Sequence, residues 1–249
     1  MISIKSANEL RFMREAGKIV SLIMEELSSL VKEGISTYDL NMEAERLFEK
    51  YKVISAFKNY RGFPGAICTS VNEELIHGIP SRKKILKEGD IISIDVGVNY
   101  KGFFADSAIT IGVGKISQEA ERLIEVTREA LYTGIKTAKE NAHLGDVSYA
   151  IQSYVEGRGF SVVRDFVGHG IGSKMHEEPE VPNFGEPGHG PVLKNGMTIA
   201  LEPMVNMGSP EVEILPDGWT VVSKDRKLTA HFEHTICING NEPIILTSL

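Results

Sequence analysis

The spacing of hydrophobic residues along this chain switches from helical to alternating and back again. From Ala7 to Val31, Leu10, Met13, Ile19, Ile23 and Leu27 recur at helical intervals. A second helical stripe, Leu40, Ala44, Leu47, Phe48 and Tyr51, follows "GISTYDL", where Ser36 or Thr37 can cap a helix. Residues 53 to 113 then read as strands. Helical spacing returns near Ser117–Asn141 and Asp146–Arg158, before a β-rich tail.

Helices, strands, then helices and strands again suggest an internal repeat. "LKEGDIISID", ending at Asp95, aligns without gaps on "LKNGMTIALE", ending at Glu202, at an offset of 107 residues. The same offset carries Leu40, Ala44, Leu47 and Phe48 onto Val147, Ile151, Tyr154 and Val155. "HGI" also occurs twice, at His77 and His169. A later pair, "ADSAITI" and "FEHTICI", matches Asp106 to Glu233 at an offset of 127, which implies 20 extra residues in the second copy. The expectation is one α/β (α+β) domain over residues 1–249, with pseudo-symmetric halves of about 1–115 and 116–249.

Strand parity gathers the acidic residues. Ile92, Ile94, Val96 and Val98 share one face of a strand, leaving Ser93, Asp95 and Gly97 on the other. Met197, Ile199 and Leu201 likewise oppose Thr198, Ala200 and Glu202. In the later pair, Asp106, Ala108 and Thr110 oppose Ile109 and Ile111, and Glu233, Thr235 and Cys237 oppose Ile236 and Ile238. Each strand would bury an apolar face under helices and turn one carboxylate toward a concave polar side. A two-residue turn at Tyr100–Lys101 would make Asp95 and Asp106 direct cross-strand neighbours. Such a pair needs a cation between the carboxyls, or a proton on one of them. His169, in "VGHGIG", adds a nitrogen donor. Four carboxylates and one histidine suit two divalent ions. A single calcium or magnesium site, or a glycosidase-type carboxylate pair, leaves part of this set unexplained.

Composition narrows the function. The chain is 42% hydrophobic and 24% charged, and it has no apolar run long enough to span a bilayer. A net charge of −7 disfavours a general nucleic-acid binder, and the basic run "SRKKILK" from Ser81 reads as a solvated loop. The first residues lack the layout of a secretory signal, and two cysteines give no disulfide framework. A reducing cytoplasm is the expected location.

The order Asp95, Asp106, His169, Glu202, Glu233, with "NEELIHGIP", "GHGIG…MHEEP", "ALEPM" and "FEHT", resembles the metal signature of the methionine aminopeptidases over essentially the whole chain. No zinc-binding extension or long late insertion is present, which is similar to the short bacterial type I form. The resemblance implies the "pita-bread" fold, a curved antiparallel sheet in two related halves with helices on its outer face. It implies a monomer that removes the initiator methionine from nascent chains when the second residue is small, working transiently near the ribosome, with no nucleic-acid or membrane partner.

The family pattern further implies two divalent ions, cobalt, manganese, iron or zinc, bridged by Asp106 and Glu233. Asp95 would complete one metal, and His169 with Glu202 the other. A shared water or hydroxide would attack the scissile carbonyl, with Glu202 relaying the proton. His176 would stabilise the oxyanion, and His77 would bind the peptide near the new amine. Phe57, Tyr60, Phe63, Cys68 and Trp219 would form the methionine pocket, with Met175 at its rim where the family usually has phenylalanine. His231 replaces a common glutamine. It is expected on the same strand face as Glu233, tuning metal affinity or pH dependence without being a ligand; a tolerated polar exchange is the plainer alternative. His143, His189 and His234 read as loop, surface or opposite-face residues. The competing assignments are a proline-directed peptidase of the same fold, which would carry a further amino-terminal domain, a non-catalytic relative, and a structural metal site.

Overall fold

A computed structural model describes residues 2–248. Ser6 opens α1 (Ala7–Leu30): its hydroxyl accepts from the Glu9 N–H, while the Glu9 carboxylate accepts from the Ser6 N–H. Ser36 and Asp39 make the same reciprocal cap for α2 (Thr37–Tyr51), so Ser36 is the cap. After the strands of the first half come α3 (Gln118–Thr137) and α4 (Leu144–Glu156), beginning at Ser117 and His143.

The strands, in chain order, are β1 (Ile54–Ser55), β2 (Cys68–Val71), β3 (Glu74–Ile76), β4 (Ile91–Tyr100), β5 (Phe103–Gly112), β6 (Ser161–Val162), β7 (Gly168–Gly170), β8 (Glu177–Val181), β9 (Thr198–Leu201), β10 (Met204–Asn206), β11 (Val212–Ile214), β12 (Val221–Ser223), β13 (Thr229–His231), β14 (Glu233–Cys237) and β15 (Ile244–Ile245). The main sheet runs β1-β4-β5-β14-β9-β7-β8, with β2 also on β4 and β15 on β14. Two small sheets, β13-β10-β6 and β11-β12-β3, lie beside it.

The central order β4-β5-β14-β9 is palindromic under the sequence repeat, because β4 corresponds to β9 and β5 to β14. The two halves therefore meet at the β5–β14 seam, and one sheet runs through both. Ile92, Ile94, Val96 and Val98 are fully buried with α1 and α2 residues, and Ile199, Leu201 and Ile236 with α3 and α4 residues. The repeat-matched Val147, Ile151 and Val155 are likewise buried. The helices thus cover one side of the sheet, as the parity requires.

Three sequence expectations are corrected. The hairpin turns at Lys101–Gly102, not Tyr100–Lys101, with φ of 52° and 87° at the two turn residues. A tight turn of this kind needs left-handed backbone at both positions, and glycine adopts it freely where tyrosine does not. Asp95 therefore pairs with Ala108, and Asp106 with Gly97. The slip is two residues, so parity survives: the aspartates share a face as diagonal neighbours. Second, His77 and His169 are not structural counterparts. His169 lies on β7 opposite Ala200, whereas His77 follows β3 in a small sheet with φ of 57°. Third, His231 and Glu233 do not share a strand. The chain breaks at Phe232, placing His231 on β13 and Glu233 on β14.

Candidate metal centre

The five residues expected as donors occupy five adjacent strands of the main sheet or their ends. Asp95 is on β4, Asp106 on β5, Glu233 on β14, Glu202 at the end of β9 and His169 on β7. Asp106, His169 and Glu233 each place one donor atom within 4.8 Å of the others. Asp95 and Glu202 line the same cavity.

The seam that holds the central pair is bonded by side chains as well as backbone. The Thr235 hydroxyl accepts from the Asp106 N–H at 2.9 Å and donates to the Asp106 carbonyl at 2.8 Å. Thr110 does the same for the His231 N–H and carbonyl, both at 2.8 Å. Ser107 donates to the Glu233 carbonyl at 2.6 Å, and Asn183 to the Glu202 carbonyl at 2.9 Å.

The cluster is electrostatically incomplete as a set of protein groups. One oxygen each of Asp95, Asp106 and Glu233 is buried without a hydrogen-bond partner. Burial pushes Asp106 up to about 7. Burial, then Asp106 and Glu202, raise Asp95 well above its ordinary value. Glu202 and Glu233 are also raised well above theirs, by burial first and then by Asp106. His169 adds another electron-pair donor and not a compensating charge. The Gly170 carbonyl lies 2.9 Å from its Nδ1, so the proton belongs on Nδ1 and Nε2 is left as a lone-pair donor. That Nε2 faces Glu202 Oε1 at 3.7 Å. Two electron-pair donors face each other among unpartnered carboxylate oxygens, and a hard divalent cation fits that set.

The cavity beside these residues has a volume of about 230 Å³, and its walls include Phe57, Tyr60, Phe63, Cys68, Met175 and Trp219. All six pocket residues expected from the sequence are therefore brought together. Phe63 meets Trp219 edge-on at 5.2 Å between ring centres. The 20-residue excess of the second half lies between β9 and β14, where it forms β10 to β13 and carries Trp219 into this wall. Phe166 and Ile76 also line the cavity. Sequence reasoning missed them, although Ile76 lies inside "NEELIHGIP" and Phe166 directly precedes "VGHGIG". Cys68 pairs with Asp95 across β2 and β4. Burial and then the nearby carboxylates push its thiol well up, so it stays neutral as an apolar wall.

Two histidines border the cavity without joining the donor cluster. His77 packs edge-on against Phe166 and Trp219, and burial followed by His176 lowers it to about 4. His176 lies against His169, with ring centres 4.3 Å apart, and its Nδ1 is 2.9 Å from the Tyr60 hydroxyl. Burial and then Arg61 lower it too, so both rings are neutral near pH 7. His231 is buried, with Nε2 lying 3.5 Å from Glu202 Oε2. His234 points to the opposite face, with its ring nitrogens at Thr247 and Tyr132. His143 and His189 sit at an exposed helix cap and an exposed loop. Near Arg61, Val167, His169 and His176 the cavity adjoins a shallower groove of about 700 Å³ beside β8.

These features define a metallopeptidase centre, and residues 11–240 match metallopeptidase family M24. The chain belongs to that family. Within it, the chain is 53% identical over 247 residues to "Methionine aminopeptidase 1" of Bacillus subtilis, covering 99% of each. The crystal structure of a methionine aminopeptidase from Thermotoga maritima superposes with a TM-score of 0.99 at 46% identity, covering 100% of both chains. The fold is thus the pita-bread fold. A prolidase from Pyrococcus furiosus shares the fold alone, with a TM-score of 0.78 at 22% identity over 65% of its length.

Proposed function

We propose that this enzyme is a methionyl aminopeptidase that removes the initiator methionine from peptides and nascent chains whose second residue is small. The observation that carries this reading is a sulfur- and aromatic-lined cavity directly beside Asp95, Asp106, His169, Glu202 and Glu233 on adjacent strands. Aromatic rings and a thiol suit a thioether side chain.

Asp95, Asp106, His169, Glu202 and Glu233 would hold two divalent ions. Cobalt, manganese, iron and zinc all suit these donors. When bound, the ions supply a water of lowered pKa and polarise the scissile carbonyl. The chain's own groups do the rest. Glu202 stands between His169 and His231, where it can take up a proton and return it to the leaving amine. If the Tyr60 hydroxyl donates to Nδ1 of His176, the ring's proton sits on Nε2, ready to donate to the developing oxyanion. His77 is held by aromatic edges at the cavity wall, where it can hydrogen-bond the peptide near the new amine. A cavity of about 230 Å³ admits a terminal residue, not a chain passing through, which favours exopeptidase action.

Among the described residues no helix is long and apolar enough to cross a membrane. A monomer acting in the cytoplasm, with transient access to emerging chains at the ribosome, is the setting this reading favours. The decisive experiment assays Met-Ala-Ser and Ala-Pro peptides with metal-free and metal-reconstituted protein. Metal-dependent release of methionine from the first is expected. Cleavage of only the second would reassign the enzyme to the proline-directed peptidases.

A further inference from the structure

We propose that Lys5, on the extended segment before α1, is a positioning residue for His176. This deepens the functional reading above and rests on its oxyanion role for His176.

Lys5 is a lysine in a core position. Its side chain is only 4% exposed, and its ammonium lies 2.6 Å from Glu177 Oε2. Buried lysines are rare unless paired, and this one is paired with the residue that directly follows His176. The same carboxylate serves both sides of the junction. Its Oε2 also accepts from the Ser3 hydroxyl at 3.2 Å. Its Oε1 accepts from the Lys174 N–H at 3.1 Å and the Ser173 hydroxyl at 3.2 Å. Glu177 thus ties residues 173 and 174 of the His176 loop to the amino-terminal segment. Burial alone would raise this carboxyl, yet the Lys5 ammonium and the Lys174 N–H hold it below its ordinary value.

The loop is shaped around the lysine. A Cβ on Gly172 would lie 2.4 Å from Lys5 Cε and 2.8 Å from Glu177 Oε1, so the backbone closes over the ion pair with no room for a side chain. Lys5 is itself anchored on both sides: its N–H donates to the Gly196 carbonyl at 2.8 Å, and the next residue, Ser6, is the cap of α1. His176 has far less support of its own. Residues 172–176 lie outside the helices and strands, and the side-chain hydrogen bond of His176 is to Tyr60. The ring packs on His169 of β7 and bonds Tyr60, while the backbone that carries it is fixed next in sequence by the start of β8 and the Glu177 carboxylate. An oxyanion donor must be held to within a fraction of an ångström, and a misplacement near 1 Å can cost about 10²-fold in rate. Lys5 touches neither the cavity nor the donor cluster, so its influence has to pass through the loop.

The test uses the metal-reconstituted enzyme with Met-Ala-Ser. In Lys5→Met, kcat should fall by up to about 10²-fold with KM and metal affinity unchanged. Lys5→Arg should retain most of kcat, because it keeps the charge. Amide hydrogen exchange across residues 172–176 should quicken in Lys5→Met, in metal-free protein as well as loaded. In a His176→Asn background, Lys5→Met should cost no further activity. If Lys5→Met does not fold, Glu177→Gln reads out the same link from the other side. Lowered stability with intact kcat, or an equal loss in the His176→Asn background, would overturn the proposal. Wild-type kcat in His176→Asn alone would instead refute the oxyanion role, while the exchange measurement still reports whether Lys5 orders the loop.

Discussion

The Thr235 hydroxyl accepts from one backbone group of Asp106 and donates to the other, so a single oxygen fixes a donor residue at the seam. Replacing it with valine keeps the shape and leaves both buried groups unsatisfied. Thr235→Val should cost about 1–3 kcal/mol in denaturant unfolding and weaken metal binding, and Thr235→Ser should restore both. His231 presents a buried nitrogen 3.5 Å from Glu202 Oε2. His231→Gln should change metal affinity and shift the pH–rate profile, and an unchanged profile would leave His231 as an ordinary polar exchange.

The carboxyls give the metal-free protein a pH signature. Asp106 lies at about 7 in the folded state, against about 3.9 when unfolded. The folded form therefore holds a proton the unfolded chain has lost, and stability falls as pH rises through that interval. His77, His169 and His231, lowered to about 4, 4 and 3, act in the opposite sense, since they stay neutral where the unfolded chain is charged. The two slopes oppose each other below about pH 6.5, the unfolded histidine value. Above it only the carboxyls titrate. Metal-free protein should lose stability from about pH 6.5 to 8, and saturating metal should remove that loss. A flat metal-free profile in urea titrations would contradict this account.

At the scale of elements, alternation in β4, β5, β9 and β14 was enough to put all four carboxylates on one face, because a period of two depends only on local sequence. The hairpin register was not legible to within two residues. Which pair of residues makes the turn depends on the backbone freedom of Gly102, and the apolar pattern is indifferent to an even slip. Phe166 and Ile76 were not legible either, since long-range pairing brings them to the cavity and an apolar residue beside a motif histidine reads equally well as core. The two "HGI" copies misled for a related reason: one tripeptide begins on β7, and the other lies in the loop after β3. Gly97, opposite Asp106, shows how closely element packing meets the pocket. A Cβ there would lie 2.8 Å from Phe57 Cε1 and 2.9 Å from Ala56 Cβ. Gly97→Ala should destabilise by about 1–3 kcal/mol through overpacking and raise KM for methionyl peptides as Phe57 moves into the cavity.

At the scale of the molecule, the β5–β14 seam joins the strands of the two sequence copies in one sheet. Two donors come from the first half and three from the second. We therefore expect one domain that unfolds as a unit, with bound metal as a staple across the seam. Trp219 fluorescence and helical circular dichroism should report the same denaturation midpoint. Metal at about a hundred times its dissociation constant should add about 2.7 kcal/mol. Residues 1–115 alone should show no comparable affinity. Two separated transitions would show instead that the halves fold independently.

The Lys5–Glu177 bond spans 172 residues, and that separation has a meaning in time. A ribosome makes Lys5 before Glu177, and the partner follows roughly 10–35 s later at ordinary elongation rates. Until then the lysine has no carboxylate to meet, and the loop that carries His176 does not exist. Glu233 arrives later still. Each new copy thus lacks a complete site until Glu233 has been made, and Lys5 waits for a carboxylate 172 residues further on.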